Sequence, residues 1–184
     1  MNSTNITVFR NENKVSTEEV LKIFNKTLKE NYEIKKSDIE QLTDIAAKNP
    51  VDKFFISKKP DCPVMQGDLL IWAEGTAEFE ANFPLVTDLE QTTNMALQED
   101  DSITGDHELV PLKGSVFTLL KGKFVPPILK EHLWSSNKYD CKILEIDSPF
   151  VIKHREHGNF TFLMGGRYMI CSSLDSETLT RMRD

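Results

Sequence analysis

Four histidines occur in the chain, and three of them stand beside turn-forming residues. His107 follows Thr104-Gly105-Asp106. His154 and His157 bracket Arg155-Glu156 and precede Gly158-Asn159. Neutral imidazole is the commonest protein ligand for first-row metals, and a catalytic ion often keeps three protein ligands and one open position. His107, His154 and His157 are therefore candidate ligands for a divalent transition metal, with Asp106, Glu108 or Glu156 as a further ligand or outer partner. Glu156 is the candidate general base for a metal-activated water. The same cluster allows anion or nucleotide contacts, made by the histidines with Arg155 and Arg167. It also allows a structural role, because histidines near turns often anchor backbone groups. A flat strand would point the two rings of His-x-x-His to opposite faces. Any shared chemistry therefore needs a bulge or tight turn, which Gly158-Asn159 makes available.

Other chemistry is missing from the pattern. There is no GxxxxGK[ST] loop, no GxGxxG and no GxSxG elbow. The cysteines are Cys62, Cys141 and Cys171, an odd number at wide spacing with no CxxC. That argues against a disulfide framework and a thiolate zinc site, and for a reducing compartment. None has a local base partner to make it a nucleophile. Trp72 and Trp134 sit among apolar residues and read as core or interface anchors.

Elements must carry these residues into place. The 184 residues suit one domain with an appendage, or two small units. Ser16 and Glu19 form a capping box that opens a helix with Val20, Leu21, Phe24 and Leu28 on one stripe. Ser37 and Glu40 repeat the signal for a second helix, with Ile39, Leu42, Ile45 and Ala46 as its stripe. Asn49-Pro50 stops it. Two short helices joined this way read as an αα-hairpin whose stripes need a docking surface. Residues 57–65, with two prolines, read as a linker. After it come short strand-like runs with glycine turns, and Phe160–Leu163 and Arg167–Ile170 flank Met164-Gly165-Gly166 as a hairpin. The expected class is α+β: an N-terminal helical hairpin or arm over residues 1–58, and a mostly antiparallel β-barrel or sandwich body over residues 64–184.

The order Gln66-Gly67-Asp68-Leu69-Leu70, Thr104-Gly105-Asp106-His107, His154-Arg155-Glu156-His157-Gly158 and Gly166-Arg167-Tyr168 resembles a group of small proteins from bacteria and their phages. The likeness spans roughly residues 64–184. It implies a compact β fold and an accessory role, and no particular reaction. The expected function is a phage or bacterial accessory interaction protein, a β-platform with a helical docking arm for another phage or host chain. Two alternatives stand beside it: a small metal-dependent hydrolase, and a nucleotide-binding protein. The net charge of −7 argues against direct nucleic-acid binding. No apolar run approaches the ~20 residues of a membrane span, so the expected location is the cytoplasm, or the virion for a phage protein.

Overall fold

A computed structural model of the chain describes residues 6–10, 16–30, 33–51, 53–97, 107–126 and 139–172. His132, Trp134, Asp106 and the C-terminal residues 173–184 lie outside the described residues. Two open sheets face each other as a sandwich and do not close into a barrel. The first contains β1 (Ile6–Arg10), β2 (Lys53–Ser57), β6 (Glu108–Pro111), β9 (Phe150–Lys153) and β10 (Asn159–Phe162), in the order β1-β2-β10-β9-β6. The second contains β3 (Val64–Gln66), β4 (Leu69–Ala73), β5 (Val86–Gln91), β7 (Phe117–Phe124), β8 (Tyr139–Ile146) and β11 (Gly166–Ser172), in the order β3-β4-β11-β8-β7-β5. Pairing is antiparallel except for β2 with β10.

Strand alternation explains why both faces of each sheet are apolar. On β9, Phe150 and Ile152 enter the core between the sheets, while Val151 points outward. On β11, Tyr168 and Ile170 point in, and Met169 and Cys171 point out. Each outer face therefore needs a cover. Helices α1 (Thr17–Glu30) and α2 (Lys36–Lys48) cover the first sheet, placing Val20, Phe24, Leu28, Ile39, Leu42 and Ala46 on Phe54, Ile56 and Val151. The short α3 (Ala77–Asn82) and the 3-10 turn Phe83–Leu85 cover the second, with Phe79 packed among Trp72, Phe124 and Ile143. Burying a Leu or Phe fully is worth roughly 1.5–3 kcal/mol, so these layers hold the helices in place where propensity alone would not.

Three sequence expectations change. The helical pair is not an arm, because its stripe is buried against the body and β2 runs between β1 and β10. The segment at 57–65 thus joins two strands of one sandwich and does not separate two units. Met164-Gly165-Gly166 is not a hairpin: β10 and β11 belong to different sheets, and the connection crosses between them. Gly165 is required by close approach, since a Cβ there would lie 2.5 Å from the Ile146 carbonyl oxygen. Finally, Ser16 and Glu19 do exchange capping bonds, whereas α2 is preceded by Lys35 with no side-chain cap and Ser37 lies inside the helix. Among the described residues, no helix is long and apolar enough to cross a membrane.

Candidate functional site

The antiparallel register of β6 and β9 places Glu108 opposite Lys153. Extended by one residue, it places His107 opposite His154. Their rings lie 4.2 Å apart, and the His157 ring lies 4.5 Å from that of His154. The turn after β9 does what an extended strand could not. The Gly158 N–H donates to the His154 carbonyl at 3.1 Å, and the His154 Nδ1 accepts the N–H groups of Glu156 and His157 at 3.1 and 3.0 Å. The chain thereby curls and returns His157 to the same side. Gly158 makes the curl with φ +85°, and a Cβ there would lie 2.4 Å from the Lys53 carbonyl oxygen.

Three candidate metal ligands thus meet, the His107 and His157 rings lying 6.1 Å apart. Two of the ring nitrogens make hydrogen bonds with backbone groups. His107 Nε2 lies 2.8 Å from the Gln66 carbonyl oxygen, so this nitrogen carries the hydrogen and donates. His107 Nδ1 faces the buried carboxylate of Asp68 at 3.7 Å. His154 Nδ1 is occupied by two backbone N–H groups. Among the described residues no group of three His, Cys, Asp or Glu could hold a metal. In this cluster His107 and His154 also organise backbone.

Gln66 completes this organisation. Its side-chain amide donates to the carbonyls of Ile152, at 3.2 Å, and Gly158, at 2.5 Å, tying the second sheet to the turn of the first. The Gln66-Gly67-Asp68, His107 and His154–Gly158 segments therefore converge at one end of the sandwich. Tyr168 does not join them. It lies in the core against Phe150 and Phe162, donates to the Met164 carbonyl at 2.7 Å, and burial pushes its hydroxyl pKa upward.

Over the histidine pair lies a cleft of about 720 Å³. His107 and His154 form part of its wall. Lys48 and Asn49 come from the end of α2, Asn94, Met95 and Ala96 from the segment after β5, and Lys153, Arg155 and Asn159 from the two strands and their turn. Of the three cationic side chains there, Lys153 pairs with Glu108 at 2.5 Å and Lys48 with Asp44 at 2.6 Å, and Arg155 is the third. No family model, no curated protein and no solved structure matches the chain. The wall chemistry must therefore be read from its own residues.

Of the proposed anion contacts, Arg155 lines this cleft and Arg167 does not. Arg167 sits in a separate surface groove with Glu74 and Glu145. It pairs with both, at 3.5 and 2.8 Å, and lies over the Phe83 ring. Glu156 is exposed on the turn and is not part of the cleft wall. Lys48, Lys153 and the amides of Asn49, Asn94 and Asn159 escaped the sequence reading. Lys153 and Asn159 flank the histidine turn directly, so the run Lys153–Asn159 carried their signal. Asn94 lies in an irregular acidic stretch and carried none.

Proposed function

We propose that the chain is a binding protein for a small anionic ligand of mononucleotide size, held in the cleft over His107 and His154. The observation that carries this reading is Arg155 in the wall of the cleft, beyond the pairs Lys48–Asp44 and Lys153–Glu108 at 2.6 and 2.5 Å, in a chain of net charge −7. A concave site lined by one sign of charge concentrates ligands of the other. The volume lies within the roughly 300–1,000 Å³ of small-molecule sites. A phosphate or carboxylate would take charge-assisted hydrogen bonds from the cations and compete with Glu108 for Lys153. Pro50, Val51, Met95 and Ala96 give the same cleft an apolar side for an organic moiety.

The reading of a helical docking arm for a phage or host partner loses the feature it was built on, since Val20, Phe24 and Leu28 are buried within the chain. Thermal denaturation with inorganic phosphate and adenosine monophosphate, followed by calorimetric titration, tests the ligand reading. A ligand at ~100 times its Kd should stabilise by about 2.7 kcal/mol. That stabilisation should vanish in the doubly reversed variant Lys153→Glu, Arg155→Glu. Absence of any stabilisation by either anion, or its persistence in the variant, rejects the reading.

A further inference from the structure

Cys141 on β8 and Cys171 on β11 stand directly opposite each other across antiparallel strands. The ladders on either side fix what kind of pair they make. The Glu74 N–H donates to the Arg167 carbonyl at 2.9 Å, in register with the pairing of β4 and β11. Arg167, Met169 and Cys171 therefore turn their backbone groups toward β4. The Asp147 N–H donates to the Val116 carbonyl at 3.1 Å, in register with β7 and β8, so Cys141, Ile143 and Glu145 turn theirs toward β7. Neither register shifts along the way, and both lead to one result: Cys141 and Cys171 face each other as a non-hydrogen-bonded pair. Such a pair brings its Cα atoms to about 4.5 Å with the side chains close, within the roughly 4.4–6.8 Å that a disulfide spans. Both side chains lie on the outer face of the second sheet with Trp72 and Met169, and the two thiols hydrogen-bond to each other. Both thiols are free, and the residues are 1% and 3% exposed.

We propose that Cys141 and Cys171 are a two-electron redox pair that closes to a cross-strand disulfide by exchange with a low-molecular-weight disulfide. One cysteine thiolate attacks a sulfur of the small disulfide and releases one small thiolate. The other cysteine thiolate then attacks the protein sulfur of that mixed disulfide. The internal S–S bond forms and the second small thiolate leaves. The two protons lost by the cysteines pass to the two departing thiolates, so one small disulfide is reduced as the pair is oxidised. Burial pushes the Cys171 thiol well above its ordinary range, and a thiol is a far poorer nucleophile than a thiolate. The closed sheet therefore exchanges slowly, and the bond is set while the sheet forms or opens. It clasps the start of β8 to the end of β11, and Cys62, which precedes β3, takes no part. The clasp is independent of the anion reading.

Refolding the whole chain from urea in a glutathione redox buffer tests the pair while its sulfurs are accessible. Mass spectrometry should find the refolded chain about 2 Da lighter than the reduced one, the loss of two hydrogens on closing one disulfide. A peptide map should link Cys141 to Cys171. The thermal midpoint should lie about 10 °C above that of the reduced chain, the scale of one unstrained disulfide in a chain of this length. Cys62→Ser should give the same mass loss and the same rise, and Cys171→Ser should refold with no internal bond. Should Cys171→Ser fail to fold, Cys62→Ser still decides, because it holds only the two thiols in question. Refolding with both thiols free overturns the proposal, as does a bond made through Cys62. An oxidised chain that melts at or below the reduced one overturns it too, since the strands would then be strained by the bond.

Discussion

The two ends of the sandwich both hold basic residues, and they treat them in opposite ways. At the end carrying Arg167, the guanidinium meets Glu145 and Glu74 and stacks on Phe83. Its charge is answered inside the chain. At the histidine end, Lys48 and Lys153 each meet one carboxylate, Asp44 and Glu108, while Arg155 lines the cleft with no ion pair among the described residues, and the His154 ring beneath holds the turn. One arginine is held from two sides by carboxylates, while the other lines a cavity. The difference teaches that arginine or histidine count does not mark a site. What marks it is whether neighbouring elements have already neutralised the charge.

The largest way to break this contrast is through the turn that builds the cleft. Gly158→Ala forces an L side chain into φ +85° and drives its Cβ against the Lys53 backbone. The left-handed conformation costs roughly 1–2 kcal/mol and overpacking a further 1–3 kcal/mol, so a loss of about 3 kcal/mol in urea unfolding is expected. Gly114→Ala is the control. It has the same positive φ, but nothing lies within 4 Å of its added Cβ, and a loss of only ~1 kcal/mol is expected. Equal costs at the two positions would mean that the turn is not clamped onto β2.

Gln66 is the next test. Replacing it with Ala removes the donor shared by the Ile152 and Gly158 carbonyls. Leaving buried acceptors unmatched costs about 1–3 kcal/mol, and a loss near 2 kcal/mol is expected, together with faster amide exchange at Gly158. A loss confined to global stability, with no change at that amide, would disconnect Gln66 from the turn. The charge reversal Lys153→Glu with Arg155→Glu should then leave folding nearly intact and weaken phosphate-ester binding about 100-fold, read by titration. Its stability cost stays small because Arg155 is exposed and Lys153 is partly exposed.

The sequence made some of this legible and not the rest, for physical reasons. Local signals read well: the Ser16–Glu19 capping box and the Asn49-Pro50 stop are short-range effects of backbone donors and of proline sterics. The meeting of His107 with His154 was legible only as a conditional, because it depends on β6 pairing with β9 across more than forty residues. The error over Met164-Gly165-Gly166 has the same origin. Two β-runs around a glycine turn look alike whether the chain returns beside itself or crosses to the facing sheet, and the choice is made by which partners β10 and β11 find elsewhere. Residue type fixes what an imidazole can do, while its backbone partners, which only the fold supplies, show what His107 and His154 hold. The amides were missed because an Asn shows no role until the fold supplies its backbone partner.

The smallest expected effect sharpens the opposite end. Arg167→Ala removes two ion pairs and a contact with Phe83, yet the guanidinium side chain is 37% exposed and its partners more so. Pairs so open to water are worth about 0–1 kcal/mol each, and a stability loss under ~1 kcal/mol is expected at low salt, shrinking further as ionic strength rises. Phosphate-ester affinity should be unchanged, because Arg167 belongs to a different groove from the cleft cations. A large drop in affinity on this substitution would mean that the two ends communicate, and the contrast between a closed and an open charge cluster would have to be given up.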